Sequence, residues 1–327
     1  MKSAEEQQGC NPMSRRSRTR LAFLVPAAAL CLAMTGCATT KKIASSVGLY
    51  DSLGSGKSDV AYATELPVGS AAEAVALGDS AYRDGDLDKA LFNYIRALEK
   101  DGDNSAVLYK IGAIHDSRGN TQLAEAAYRW ALKGNPQHAR SLEGLGILLM
   151  KRRQHDEART SLQAAIRADS RLPRAHNALG VLADMERDYT GAQRHYEESL
   201  AIANGSPEVW NNLGYSRYLS GNHKGAIAAY QEALKVNPAY ERAWRNLGLV
   251  YARDKQYDKA IDALSKVQDV PKAYNDVGYV AMVNGQLKEA EVFFDEAMEM
   301  SPSYYELAGM NAQRLQMMKG GGTVSRN

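Results

Sequence analysis

Along most of the chain, apolar residues recur at three- and four-residue spacing, the period of amphipathic helices, in segments separated by short polar turns. The segments come in pairs, and the pairs repeat. Gly78, Gly112, Gly146, Gly180, Gly214 and Gly248 stand 34 residues apart, and Gly278 follows after 30. Leu77, Ile111, Leu145, Leu179, Leu213, Leu247 or Val277 directly precedes each glycine. Twelve residues after each glycine stands an alanine: Ala90, Ala124, Ala158, Ala192, Ala226, Ala260 and Ala290. Four residues later come Tyr94, Tyr128, Tyr196, Tyr230 and Phe294, with Leu162 and Leu264 in the remaining two places. Asp84-Gly85-Asp86, Arg118-Gly119-Asn120, Ser220-Gly221-Asn222 and Asn284-Gly285-Gln286 separate the two helices of their units. Gly and Asn tolerate the left-handed conformation that ends a helix. Small residues at the aligned Gly and Ala places let the paired helices approach closely, so Gly214 is expected to face Ala226. One pair cannot bury its apolar face alone, so the units must stack. The pattern predicts an all-α fold of seven helix pairs over 71–304. Leu307, Met310 and Leu315, spaced among polar residues, predict a capping helix in 305–327, followed by a disordered tail.

These positions resemble the tetratricopeptide repeat signature, and Pro136, Pro238 and Pro302 match its repeat-ending proline. Gly102, Ser170 and Asn204 depart from it. The sixth repeat lacks four residues around Val267–Val270, so its second helix is expected to be short. The resemblance implies a right-handed superhelical solenoid whose first helices line a concave groove. Near the amino end the groove places hold Ala72, Val75, Tyr109 and Glu143, with no pattern. From the fourth unit onward they change character. Asn177, Asn211 and Asn275 share one equivalent place, which Arg245 takes in the sixth unit. Arg174, Arg242, Val181, Met185, Tyr215, Tyr218, Leu249, Tyr279 and Met282 surround them. Asn can both donate to and accept from a peptide backbone. Tyr and Met supply adaptable contact area, and Arg can fork onto a carboxylate. The candidate site is therefore a groove for a peptide or helix. The alternative is structural: the asparagines bond neighbouring helices together and the tyrosines pack between repeats.

The amino terminus carries an address. A basic run, Arg15 to Arg20, precedes an apolar stretch, Leu21 to Met34, broken by Pro26. Its 14 residues are too few to span a bilayer, which needs about 20, and the arrangement is that of a secretory signal. Met34-Thr35-Gly36-Cys37 resembles the bacterial lipobox, with Met34 where Leu is usual. The resemblance makes 1–36 a lipoprotein signal peptide and Cys37 the lipidated first mature residue, its anchor built from palmitate-like acyl chains. Two such chains suffice for stable anchoring. Ala38, where Asp would retain a lipoprotein at the inner membrane, implies the periplasmic face of the outer membrane. Glu5, Glu6, Gln7 and Gln8 are unusual in a signal, which makes Met13 a candidate start. The segment 37–70, rich in Ser, Gly, Ala and Thr, reads as a flexible tether with a mean reach of roughly 30 Å. Gly54-Ser55-Gly56-Lys57-Ser58 is not a phosphate loop, because Asp51 stands where the first Gly is required.

Charge and reactive residues narrow the function. The formal charge is +2; the first 36 residues contribute +3, leaving −1 for the remainder. A near-neutral body gives no case for nucleic acid. Cys10, Cys31 and Cys37 all precede the repeats, so no disulfide framework or cysteine nucleophile is available there. His115, His138, His155, His176, His195 and His223 fall at different repeat positions, without metal-ligand spacing on one helix face. No catalytic residue, metal site or cofactor is expected, and the chain reads as a binding protein rather than an enzyme. Ala273-Tyr274-Asn275-Asp276-Val277-Gly278-Tyr279-Val280-Ala281-Met282, Ser301-Pro302-Ser303-Tyr304-Tyr305 and Val209-Trp210-Asn211-Asn212-Leu213-Gly214-Tyr215 resemble the TadD family of the tight-adherence (Flp) pilus assembly system. That resemblance implies an outer-membrane accessory that helps a secretin localise or assemble. The alternative is a type IV pilus pilotin or another envelope adaptor, such as a scaffold for cell-wall hydrolases.

Overall fold

The computed structural model describes residues 69–301 and 305–320, all within the second of two units into which the chain divides, Leu49–Asn327. The signal, Cys37, nearly all of the tether, Pro302 and the tail after Gly320 lie outside the described residues. Among those described, every regular element is a helix. The first three pairs are α1 (Ala71–Arg83) with α2 (Leu87–Lys100), α3 (Ser105–Ser117) with α4 (Thr121–Gly134), and α5 (Ala139–Lys151) with α6 (His155–Ala168). Next come α7 (Pro173–Met185) with α8 (Tyr189–Ile202), and α9 (Pro207–Leu219) with α10 (His223–Val236). The last pairs are α11 (Glu241–Arg253) with α12 (Tyr257–Leu264), and α13 (Val270–Val283) with α14 (Leu287–Glu299). Helix α15 (Glu306–Lys319) packs against α14 and α13. The fold is the expected solenoid of seven helix pairs with a terminal cap.

The turn inside each pair has one construction. Gly85, Gly119, Gly221 and Gly285 adopt positive φ, between 76° and 82°. The same place, seven residues after the aligned glycine, holds Arg153, Arg187 and Lys255 in the other repeats, with φ between 61° and 64°. The residue after it donates its N–H to a carbonyl five residues back, as in Asp86 to Ala81, Asp188 to Ala183 and Asn222 to Arg217. This is the Schellman closure of a helix. That donor also starts the next helix: the side chains of Asp86, Asp188 and Asn222 accept from the backbone N–H three residues on. One residue thus ends the first helix and caps the second, which keeps the connection short. The three basic residues hold a conformation that costs an L side chain about 1–2 kcal/mol, so the closure is imposed by the packing of the pair rather than by glycine alone.

That packing is a socket. A Cβ added at Gly78, Gly112, Gly180 or Gly214 would stand 2.5–2.6 Å from the ring of Tyr94, Tyr128, Tyr196 or Tyr230. At Gly278 the partner is Phe294, and at Gly146 and Gly248 it is Leu162 and Leu264. Each of these seven side chains is at most 2% exposed. The nearest neighbour of Gly214 is the Tyr230 ring, a contact that the aligned glycines and alanines alone did not indicate. The alanines act one turn earlier. Where leucine replaces the ring, the carbonyls of Ala158 and Ala260 come within 3.2 and 3.1 Å of a Cβ built on the facing glycine, an approach that needs a small side chain there. Burial pushes the tyrosine hydroxyls well above their usual pKa. Two of them donate across the pair, Tyr94 to Asp79 at 2.6 Å and Tyr196 to Asp184 at 2.8 Å.

Between repeats the two helices of a pair behave differently. From α3 onward each first helix touches the next first helix, while successive second helices make no comparable contact. The first helices therefore form the inner layer. A second recurring bond ties the fourth, fifth and sixth units to the connection before each. Trp210 and Trp244 donate their indole N–H to the carbonyls of Asn204 and Pro238, six residues earlier, at 3.2 and 2.8 Å. His176 occupies the same place, with Nε2 3.2 Å from the Ser170 carbonyl. That bond makes Nε2 the protonated nitrogen and leaves Nδ1 to accept from His195 Nδ1, 3.4 Å away. The sixth repeat departs as expected. Its second helix, α12, has 8 residues, against 13 or 14 in the others.

Two measurements test this account. Gly214→Ala forces a methyl into the Tyr230 ring, and overpacking of this kind costs about 1–3 kcal/mol. At Gly205 an added Cβ meets nothing within 4 Å, so Gly205→Ala is expected to leave the urea midpoint nearly unchanged. Equal midpoints for the two variants would remove the socket. The histidine pair predicts a pH effect. Burial, then His176 and Arg194, lower the pKa of His195 against smaller opposing effects of Glu198 and Asp188. The unfolded chain then binds more protons than the folded one below about pH 6.5, and stability falls as pH falls. Thermal scans at pH 7.5 and 5.5 should show a smaller drop in Tm for His195→Gln than for the unaltered protein; an equal drop counts against the pair.

Candidate functional site

The inner layer offers one surface that differs from the rest. On its first helices, the residue after the aligned glycine is Tyr215, Leu249 and Tyr279 in the last three repeats, and all three are exposed, Tyr215 at 47% and Tyr279 at 42%. Four residues further along the same helix face, Met185, Leu219 and Val283 are exposed in the fourth, fifth and seventh repeats, Met185 at 57%. Val181 heads the first column half-buried, and Arg253 interrupts the second. The corresponding places in the first three repeats are Asp79, Ala113 and Ile147, then Arg83, Ser117 and Lys151. Ile147 is apolar and half-buried like Val181, so what begins at the fourth repeat, with Met185, is the exposure of large apolar side chains in these columns.

The asparagines sit beside these columns, and the structure gives each a definite bond. Asn212 Nδ2 donates to Asn177 Oδ1 at 3.1 Å, Asn246 to Asn211 at 2.9 Å, and Asn311 of the cap to Asn275 at 2.8 Å. The oxygen end of each asparagine therefore holds the next first helix, which is the structural role the sequence left open. Asn211 and Asn275 are buried, whereas Asn177 is half-buried. The ladder breaks at the sixth repeat, where Arg245 replaces the acceptor and Asp276 replaces the donor. Asp276 instead accepts from Gln268 and Asn275, at 2.9 and 3.3 Å. Asn212, Asn246 and Asn311 were missed in the sequence. Their signal was an asparagine one place after the aligned series in the following unit, a pairing that only the stacking register makes meaningful. The Nδ2 groups of Asn177 and Asn211 make no hydrogen bond to a described residue, so each remains a donor for something laid across the helices.

The charged residues flank the same face. Arg174, Arg242, Arg245 and Arg253 are exposed, and the nearest carboxylate recorded for Arg245 is Glu241 at 3.7 Å. Arg174 lies within electrostatic reach of Glu143, whose carboxyl is buried and accepts from the Ala175 N–H at 3.0 Å. Burial raises the pKa of Glu143, and Arg174 partly offsets that rise. Tyr218 is half-buried and stacks on His223, with ring centroids 5.5 Å apart. Met282 is a correction. Expected in the groove, it is 2% exposed and packs with Ala281, Phe294 and Leu315, because α15 covers the end of the array. Among the described residues, no group of three or more His, Cys, Asp or Glu is placed to hold a metal, and no helix is long and apolar enough to cross a membrane.

Comparison with known proteins follows the repeat register. The tetratricopeptide repeat profile matches residues 75–139, 109–173 and 143–207, and related profiles match 214–255, 241–270 and 271–304. The photosystem I assembly protein Ycf3 of Rippkaea orientalis (strain PCC 8801 / RF-1) is 36% identical over 74 residues, 22% of this chain and 43% of that protein. The chain thus spans less than half the length of this relative. A tetratricopeptide repeat protein from Parabacteroides merdae ATCC 43184 superposes with a TM-score of 0.50 at 17% identity, covering 75% of this chain and 98% of that one. A chain of the APC/C hetero-tetramer Cut9–Hcn1 superposes with a TM-score of 0.53 at 18% identity, covering 75% of this chain and 51% of that one. These likenesses concern the fold, and with the profile matches they establish that the chain belongs to the tetratricopeptide repeat family.

Proposed function

We propose that this chain is a lipid-anchored adaptor, without catalytic activity of its own, that holds a protein partner against the inner face of repeats four to seven. The observation that carries the reading is the exposure of two apolar columns on successive first helices, Tyr215, Leu249 and Tyr279 beside Met185, Leu219 and Val283. Exposed apolar patches of this continuity mark interaction sites, and aromatic residues commonly dominate their energetics. The flanking charges favour an acidic segment. Arg174, Arg217, Arg242, Arg245, Arg253 and Lys272 stand against Asp184, Glu208, Glu241 and Asp276 on these helices, and Asp184, Glu241 and Asp276 already have partners in Tyr196, Arg245 and Gln268. An extended or helical peptide with aliphatic or aromatic anchors and carboxylates along one edge is the complementary ligand.

The finer reading rests on the sequence. Met34-Thr35-Gly36-Cys37 supports lipidation at Cys37, and Ala38 supports the periplasmic face of the outer membrane. With the TadD-like segments around Asn211 and Asn275, these features favour an accessory that assists secretin localisation or assembly in a tight-adherence pilus system.

Tyr215→Ala combined with Tyr279→Ala is expected to reduce co-purification of that secretin at least tenfold, with helical content unchanged by circular dichroism. Tyr82→Ala, exposed on the first repeat, should bind nearly normally. Loss in the Tyr82 control with retention in the groove pair would place the partner elsewhere. Cys37→Ser should release the protein from the outer-membrane fraction; persistence there at mature size would overturn the lipidated anchor.

A further inference from the structure

The shortened sixth repeat has a consequence on the opposite face. Tyr230 and Leu264 occupy equivalent places, each 16 residues after its aligned glycine. Helix α10 continues past Tyr230 through Gln231–Val236, whereas α12 stops at Leu264. The two helices of a pair run antiparallel, so the start of α11 lies beside the end of α12, where the missing turns would be. A cleft of about 490 Å³ opens there between α10, α11 and α12. Leu234, Leu247 and Ala263 form its nearly buried floor, and the half-buried rings of Trp244 and Tyr251 form its wall. A second cleft, of about 620 Å³, lies on the other side of α12 and is lined by Ile261, Ser265, Val270 and Tyr274. A helix that loses its last turns leaves its neighbours' apolar surface uncovered, and both openings border the shortened helix.

The rim is polar. Lys259 Nζ lies 5.6 Å from the centre of the Tyr251 ring and 2.9 Å from Gln256 Oε1, so its recorded partners are neutral. Lys235 pairs with Glu232 at 2.6 Å on the other side. Gln231 Nε2 donates to the Tyr251 hydroxyl at 3.3 Å, which holds that ring upright against the opening. Asp262 adds one carboxylate to the lining.

We infer that this cleft is a second docking site, separate from the inner groove, and that its occupant is a helical segment of a partner protein that replaces the missing end of α12. The sister repeats define what fits. The equivalent stretch in the fifth repeat, Gln231-Glu232-Ala233-Leu234-Lys235-Val236, presents Ala233 and Leu234 to the core and carries one carboxylate. An occupant with aliphatic residues three or four apart would cover Leu234, Leu247 and Trp244, as the last turn of a second helix does elsewhere in the array. A carboxylate on its exposed edge would meet the Lys259 ammonium. The inference does not depend on the inner groove, because none of the cleft residues lies in the two inner columns.

The test uses the whole chain and a defined probe: a fluorescein-labelled, helix-stapled peptide with the sequence of residues 226–236, read by fluorescence anisotropy. Saturable binding is expected. It should fall at least tenfold in Lys259→Glu, and also in a variant with Lys-Ala-Leu-Glu inserted after Leu264, which restores the 34-residue spacing and fills the cleft from within. A blue shift of tryptophan emission with an unchanged or higher Tm would show that the inserted turn has packed beside Trp244. If the insertion variant does not fold, Lys259→Glu and Trp244→Leu carry the test, each checked for native helical content. Binding should persist when Tyr215→Ala and Tyr279→Ala are combined. Absence of peptide binding, binding unaffected by changes in the cleft, or binding lost in the groove pair would each overturn the assignment.

Discussion

The architecture depends on one contact, the ring or leucine of each second helix pressed onto the bare backbone of a glycine on the first. A Cβ at that glycine would come within 2.5–2.8 Å of the packed side chain in every repeat, a separation real atoms do not hold. The absence of a side chain therefore fixes the distance between helices. That distance in turn sets the turn geometry, because the same seven-residue step leads from the socket to a left-handed residue in all seven units. Glycine meets this demand without strain in four units, and Arg153, Arg187 and Lys255 meet it with strain in the other three. Tolerance of strained residues at that turn shows that the socket, with its large buried rings, outweighs a local conformational cost of about 1–2 kcal/mol. Tyr128 shows the same principle between units. Its ring contacts Gly112 of its own pair and would also meet a Cβ at Gly144 in the next, so one side chain sets spacing both within and between repeats.

Stacking adds polar connections to this apolar spacing. The asparagine ladder joins consecutive first helices, and each such bond contributes about 0.5–1.5 kcal/mol net. A buried amide that has lost its partner costs more than the bond contributes, so donor and acceptor are expected to change together. They do so in the sixth repeat, where Arg245 and Asp276 replace them. The ring N–H bonds of His176, Trp210 and Trp244, one residue before Asn177, Asn211 and Arg245, perform a similar task by tying three of the first helices to the connections that precede them. With these ties beside them, the exposed columns are presented on a rigid surface, which lowers the entropy cost of binding a partner.

Much of this was legible because it repeats. The glycine and alanine register, the turn tripeptides, the short sixth repeat and the capping helix follow from period and residue type alone. The features that were not legible involve residues brought together by stacking rather than by sequence spacing. The nearest neighbour of Gly214, the Tyr230 ring, lies 16 residues on in the sequence, because that side chain reaches back along its helix toward the crossing. Met282 looked like a groove residue because its place matches that of Tyr218 in the fifth unit, but α15 covers it at the end of the array. Asn212 and Asn246 were passed over because an asparagine's partner 35 residues away has no local signature. Pattern reading finds positions that every unit shares and is blind to pairings between units.

The departures from the repeat are informative for the same reason. A regular unit needs only its socket, its turn and its two polar ties, and a residue that serves those needs can recur without further function. The residues that change character gather in the carboxyl-terminal half. The exposed columns begin at Met185, the arginines interrupt the ladder at Arg245, and the second helix is cut short at Leu264. Losing the last turns of a helix forfeits apolar burial worth roughly 25 cal/mol per Å², and a cleft lined by Leu234, Leu247, Trp244 and Tyr251 stands open beside the shortened helix. A solenoid built only for stability would restore that turn. Retaining the gap beside an aromatic wall and the Lys259 ammonium keeps that surface available for another chain, on the face that the inner columns do not use.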